Sequence, residues 1–168
     1  MSAAHLVIRP EVSADKAAVH ALNSAAFGRD AEADLVDALR DERAVVLSLV
    51  AEEDGHLVGH VLYSRLTLDP PRAGGSSLAP VAVAPKRQKH GIGARLIAEA
   101  HRMLAASGEK IVFVLGDPGY YSRFGFSADA AKTFHTPYDG EYMQALMLSP
   151  DAPKSGAVRY AAAFAGLE

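Results

Sequence analysis

Val81-Ala82-Val83-Ala84-Pro85-Lys86-Arg87-Gln88-Lys89-His90-Gly91-Ile92-Gly93-Ala94 is the stretch that decides how this chain folds. The apolar run reads as a strand, and Pro85 stops it. Gly91 and Gly93 open a helix in which Ile92, Leu96, Ile97, Ala100 and Leu104 recur at helical spacing. That helix reaches Ser107, and Gly108 ends it. Glycines at a strand-to-helix turn let backbone amides approach an anion with no Cβ in the way. The unpaired amides and the positive helix end then favour phosphate. Lys86, Arg87, Lys89 and Arg95 add positive charge to a chain whose formal net charge is −3. A pyrophosphate is the expected guest. The turn has no Gly-Lys-Ser/Thr, so it is not a nucleoside-triphosphate loop. A dinucleotide fingerprint needs a third glycine where Leu96 stands. Without further evidence, a capped helix with a solvated basic turn would read the same way.

Upstream, Leu78 to Ala84 forms the strand, and Pro70 to Ser77 is a loop by composition. Before it, Val45 to Glu53 and Leu57 to Leu68 flank Asp54-Gly55, a hairpin signal. Leu6 to Arg9 is a first strand. Ser13 is the expected N-cap of a helix carrying Ala17, Val19, Leu22 and Ala26. Asp30 caps a second helix, with Ala31, Leu35, Ala38 and Leu39 on one face. Downstream, Ile111 to Leu115 is an apolar strand covered on both faces. A short helix around Tyr120 to Phe124 follows, then candidate strands at Tyr142 to Leu148 and Val158 to Tyr160. The order predicts an α+β (mixed α/β) fold with a central mixed, mostly antiparallel sheet. The unit from Leu78 to Leu115 supplies a parallel pair. No boundary divides residues 1–168, so one domain is expected.

Composition narrows the function. The chain has 168 residues and is 49% hydrophobic, enough for a packed core. Its slight acidity gives no global drive toward nucleic acid or an anionic membrane. No apolar run approaches the ~20 residues of a membrane span. Cysteine is absent, which excludes disulfides, a cysteine nucleophile and thiolate metal ligation. Met1 to Pro10 lacks the pattern of a signal peptide, and the expected location is cytoplasmic.

Two separated motifs resemble the GNAT superfamily of N-acetyltransferases. Gln88-x-x-Gly91-x-Gly93 after the strand Val81-Ala82-Val83 is similar to that family's acetyl-CoA signature. The resemblance implies that the backbone of Gln88, Lys89, His90, Gly91, Ile92, Gly93 and Ala94 binds the CoA pyrophosphate. It implies that Val81, Ala82 and Val83 meet the pantetheine. It also implies the GNAT acyl-CoA N-acyltransferase fold, whose splayed parallel pair admits the cofactor. Pro80 has no N–H, so a kink or bulge is expected there. The second motif is Gly116-Asp117-Pro118-Gly119-Tyr120-Tyr121-Ser122-Arg123-Phe124-Gly125-Phe126. It matches the family's Tyr-x-x-x-Gly-Phe and looks like a subgroup of uncharacterised bacterial acetyltransferases. The implied reaction is acetyl transfer from acetyl-CoA to a primary amine, with Tyr121 beside the thiol. The implied acceptor is a small-molecule or protein amine, no metal is needed, and GNATs are often homodimers.

The chemistry poses two proton problems. With a pKa of ~10.4, roughly one lysine-like amine in ~2,500 is neutral at pH 7, a handicap of ~4.6 kcal/mol. The departing thiolate also needs a proton, and a positioned acid contributes ~10²–10⁴-fold. Tyr121 is assigned as that acid, with Tyr120 as the alternative. The base is open. Neither central strand carries the glutamate found in many GNATs. Asp117 (as base or orienter), His60, His135 and a water chain are the candidates, and Asp117 before Pro118 also reads as a turn-former. His56 and His60 have a helical metal-pair spacing but lie on a strand. Glu52 and Glu53 read as a solvated hairpin end. Phe27-Gly28-Arg29 and Phe134 to Tyr138 are expected near the acceptor. Two further readings share the cradle: a non-catalytic acyl-CoA-binding sensor, and transfer of a longer acyl group.

Overall fold

The computed structural model describes residues 5–166. The ends of the 1–168 span, residues 1–4 and 167–168, lie outside the described residues. In chain order the elements are β1 (Leu6–Pro10), α1 (Lys16–Phe27), α2 (Ala31–Asp41), β2 (Val45–Glu53), β3 (His56–Arg65) and β4 (Thr67–Asp69). There follow β5 (Gly75–Val83), α3 (Ile92–Ala106), β6 (Ile111–Leu115), α4 (Pro118–Tyr121) and α5 (Ala128–Ala131). The chain ends with β7 (Phe134–His135), β8 (Met143–Met147) and β9 (Gly156–Arg159). No described helix is long and apolar enough to cross a membrane.

The main sheet has the order β1-β2-β3-β5-β6-β8 and is antiparallel except for β5 and β6. This is the mixed, mostly antiparallel sheet that the sequence predicts. One face buries Leu49, Val61, Tyr63, Leu78, Val112 and Val114 against Ile92, Leu96, Ile97, Ala100 and Leu104 of α3. The other buries Val50 and Leu62 against Val19 of α1 and Leu35, Val36 and Leu39 of α2. A small second sheet, β4-β9-β7, covers Ile111 and Phe113 beside β8.

Four local expectations are corrected. Gly75 to Ser77, read as loop, is the buried start of β5. Its residues carry no apolar signal, because a Cβ on Gly75 would sit 2.7 Å from the Leu66 side chain. Thr67 to Asp69 leaves the hairpin and joins the second sheet, so Leu57 to Leu68 is not one strand. Ser13 starts a short 3-10 turn and does not cap α1. Asp15 stands at the N-cap, and its carboxylate accepts from Val12 N at 2.8 Å and pairs with Arg9. The strand expected at Val158 is β9, and it pairs with β4 and, in parallel, with β7 rather than with the main sheet.

Candidate active site

β5 is a strand of two halves. Gly75, Ser76 and Ser77 pair with Ile111, Val112 and Phe113 of β6, and there the parallel ladder stops. On its other side β5 keeps pairing with β3 as far as Val83. The β6-facing edge of Leu78 to Val83 therefore has no strand partner. An edge of this kind offers its N–H and C=O groups to an extended guest. The register against β3 slips between Val61↔Val81 and Tyr63↔Leu78, so Ala79-Pro80 holds one residue more than its partner. The bulge expected at Pro80 is present, at the point where the strands part.

The strand ends at the turn into α3. Gly91 is the N-cap, at φ 80°. The first intrahelical bond runs from Arg95 N to Gly91 O at 3.1 Å, so the amides of Ile92, Gly93 and Ala94 have no partner within the helix. Gln88 fastens the turn by donating from Nε2 to Val83 O at 3.1 Å. A cleft of about 280 Å³ opens here. Of the residues assigned to cofactor binding, Val81, Val83, Gln88, Lys89, Gly91, Ile92, Gly93 and Ala94 line it. Ala82 does not: it is buried and faces the other side of the sheet. His90 turns Nδ1 to Gln88 O at 2.8 Å. Arg87 lines the cleft, but its guanidinium is held by Glu53 through two bonds of 2.9 and 2.8 Å. Glu53 is thus an ion-pair partner and not a solvated hairpin end. Lys86 and Lys89 make no ion pair among the described residues.

Sequence reasoning missed the cleft's far wall. Tyr120 and Arg123 form it. A Cβ on Gly93 would lie 3.1 Å from the Tyr120 hydroxyl, and the Arg123 guanidinium stacks 4.6 Å from the Tyr120 ring centroid. The i, i+3 spacing was the signal available. Tyr121 points elsewhere. Its ring presses on Gly116, where a Cβ would come within 2.5 Å of Cε2. It meets Phe126 edge-on at 5.8 Å and Tyr120 at 5.0 Å. Burial, and then the nearby Tyr120, push the Tyr121 hydroxyl up to about 12.

The candidate bases are placed as follows. Asp117 caps α4, with Oδ1 accepting from Gly119 N at 2.9 Å. His135 is exposed and lies 3.6 Å from Asp139. His60 is fully buried in a directed chain. The Ser48 hydroxyl proton goes to Glu11 at 2.7 Å, so His60 Nε2–H donates to Ser48 Oγ at 2.9 Å and Nδ1 accepts from Asn23 at 3.2 Å. This assignment follows from counting donors. Burial, with the positive Arg40 beyond, lowers His60 to about 3. Its accepting nitrogen is already filled, which removes it as a base.

A second cavity, of about 250 Å³, sits in the gap itself. Ser77, Leu78 and Ala79 of β5 form one wall, Leu115 of β6 the opposite one, and Tyr138, Tyr160 and Phe164 the floor. Larger depressions, of about 460 to 610 Å³, lie away from the strand gap and gather no comparable set of groups. Phe27-Gly28-Arg29 is a surface turn in which Arg29 pairs with Glu32. Phe134 and His135 form β7, not a loop.

A strand edge vacated by its parallel neighbour, ending on a helix with open amides, has close counterparts among known proteins. Residues 7–128 match the family described as Acetyltransferase (GNAT) domain. The uncharacterized N-acetyltransferase YjhQ of Escherichia coli is 37% identical over 145 residues, covering 82% of this chain and 79% of that protein. The E. coli GNAT family N-acetyltransferase YhbS, solved in complex with CoA, superposes with a TM-score of 0.92 at 33% identity, over 98% of this chain and 94% of that one. A GNAT family acetyltransferase from Brucella melitensis, solved in complex with acetyl-CoA, gives 0.82 at 40% identity, over 95% and 98%. With the family's sequence pattern spanning most of the chain and the same sheet beneath it, this protein belongs to the GNAT acetyltransferases.

Proposed function

We propose that this protein transfers an acetyl group from acetyl-CoA to a primary amine by direct attack. The observation that carries the reading is the β5 edge from Leu78 to Val83, unpaired on the β6 side and leading to the open amides of α3. An extended pantetheine arm suits that edge, and a diphosphate suits Ile92, Gly93 and Ala94 with Lys89 beside them. Two of the solved relatives hold CoA or acetyl-CoA. Acetyl-CoA supplies an activated thioester carbonyl. A β5 amide at the bulge, Val81 or Ala82, polarises it as an oxyanion donor. The neutral amine nitrogen bonds to the carbonyl carbon, the carbon–sulfur bond breaks and the sulfur takes a proton, while the proton shed by the nitrogen passes to water and returns through solvent to the tyrosinate left behind. Tyr121 is the proton donor. Burial keeps its hydroxyl protonated across the working pH range, so it stays a donor and does not set an alkaline limit. Asp117 acts as an orienter, capping the short helix that carries Tyr121. Tyr120 belongs to the wall over the pyrophosphate.

The test is thiol release with isothermal titration of CoA on the same samples. Tyr121→Phe should lower kcat by ~10²–10⁴-fold with CoA affinity retained, while Tyr120→Phe should mainly weaken CoA. Tight CoA binding with no turnover of any amine would instead favour a sensor. No binding at micromolar CoA would overturn the reading.

A further inference from the structure

The cavity in the strand gap reaches through the sheet: its Leu78 wall packs with the α3 core on the side of the CoA cleft, and its floor lies on the opposite side. Val81, Val83 and Tyr120 of the cleft pack with the α3 core. Ala79, Tyr160 and Phe164 of the cavity pack with the core under α1 and α2. The cavity at Ser77 to Ala79 and the cleft at Val81 and Val83 occupy successive stretches of the same β5 strand, so donor and acceptor would meet where β5 and β6 part. The walls of the cavity contain no charged side chain. Tyr138 and Tyr160 stand edge to face at 5.2 Å, and Tyr160 and Phe164 are tilted to each other at 5.5 Å. The Tyr160 hydroxyl turns away, toward Met143 Sδ at 3.7 Å, leaving its ring to the cavity. Asp139 follows Tyr138 but is not part of the lining: its Oδ1 is occupied by the Thr136 amide and hydroxyl, both at 3.0 Å, and its Oδ2 lies 3.6 Å from His135 Nδ1.

From these walls we propose that the acceptor is a small primary monoamine on an uncharged aromatic body, of the arylalkylamine class. The inference rests on the acetyl-transfer reading and names its substrate. About 250 Å³ is roughly eight waters' worth of space, enough for one ring and a short arm. Polyamines and aminoglycosides need carboxylates for their further charges, and an amino acid needs a cation for its carboxylate. The cavity supplies neither. A lysine stem would leave much of it empty. The same walls answer the missing base. Neither β5 nor β6 carries a carboxylate, yet desolvation between apolar and aromatic walls disfavours the ammonium ion and lowers its pKa. The ammonium gives its proton to water as it leaves solvent, and the amine reaches the thioester in its neutral form.

The test compares kcat/KM for 2-phenylethylamine and benzylamine with spermidine, kanamycin, L-lysine and a lysine-containing peptide, alongside CoA titration. The arylalkylamines should lead by at least ~30-fold, within the range a hydrophobic pocket can discriminate. Leu115 is 52% exposed, so the chain tolerates a charge there. Leu115→Glu should cut kcat/KM for 2-phenylethylamine about 10-fold with the Kd for CoA unchanged. Phe164→Ala should shift preference toward a naphthylalkylamine. A charged amine or the peptide leading the panel, or aryl amines not turned over by protein that binds CoA, would overturn this proposal and leave the CoA reading standing. Failure to bind CoA would instead remove the reading beneath it.

Discussion

Single atoms decide what the cradle accepts. Gly93 faces Tyr120, with Val81 and Val83 each 3.7 Å from where a Cβ would be. Gly91 has open space around it but sits at positive φ. The two glycines therefore fail differently. Gly93→Val should abolish CoA binding by calorimetry and also lower the melting temperature, because Tyr120, Val81 and Val83 leave its methyl groups no room. Gly91→Ala should cost ~1 kcal/mol of stability through left-handed strain and weaken CoA only modestly, read by urea unfolding and the same titration. Sequence spacing revealed both glycines but not their separate roles, because sterics depend on what the fold brings near. The tyrosine pair makes the same point. Consecutive helical residues point about 100° apart, so Tyr120 and Tyr121 must do different things, and the motif alone favoured Tyr121 without showing where Tyr120 goes.

Elements set the charge that the cofactor meets. The basic turn looked like three or four free cations in sequence. The hairpin end brings Glu53 to Arg87 and neutralises one of them, a tertiary contact that no local pattern announces. Lys89→Ala should therefore weaken CoA more than Arg87→Ala, and Glu53→Gln should tighten it at low salt, both by titration across ionic strength. The long periodic elements, α2, α3 and the β2–β3 hairpin, were legible because apolar period and turn chemistry agree. The start of β5 was not, since Gly75, Ser76 and Ser77 carry no apolar signal and are buried by what surrounds them. Those three residues are the ones that hold β6, so the splay point itself was hidden even though the splay was expected.

Across the whole molecule, one buried histidine, His60, and one half-buried histidine, His101, tie stability to pH. Burial lowers His101 to about 4, and burial with Arg40 lowers His60 to about 3, from 6.5. Between those values and 6.5 the unfolded chain binds more protons, so stability rises with pH in that window and is lost as pH falls. Asp15, held at about 2 by Arg9, adds a further loss only below the usual carboxylate range. His101 stands edge-on between Tyr63 and Phe126 with Nε2 buried and unpartnered. His101→Phe should therefore make the melting temperature fall less between about pH 7 and pH 5 than in the parent, by calorimetric scans. Both histidines were visible in sequence, but their burial depends on α1 and α3 closing on opposite faces. The small β4-β9-β7 sheet has a broader effect. Tyr138 and Tyr160, which floor the acceptor cavity, flank its strands and arrive after α3 and both glycines are already in place along the chain. The floor of that cavity and the phosphate cradle thus come from separate stretches of polypeptide, while β5 contributes a wall to both. Exchanging residues 132–166 between relatives would hand over the floor, and with it part of the appetite for one amine or another, while the strand and helix that face the thioester pass through untouched.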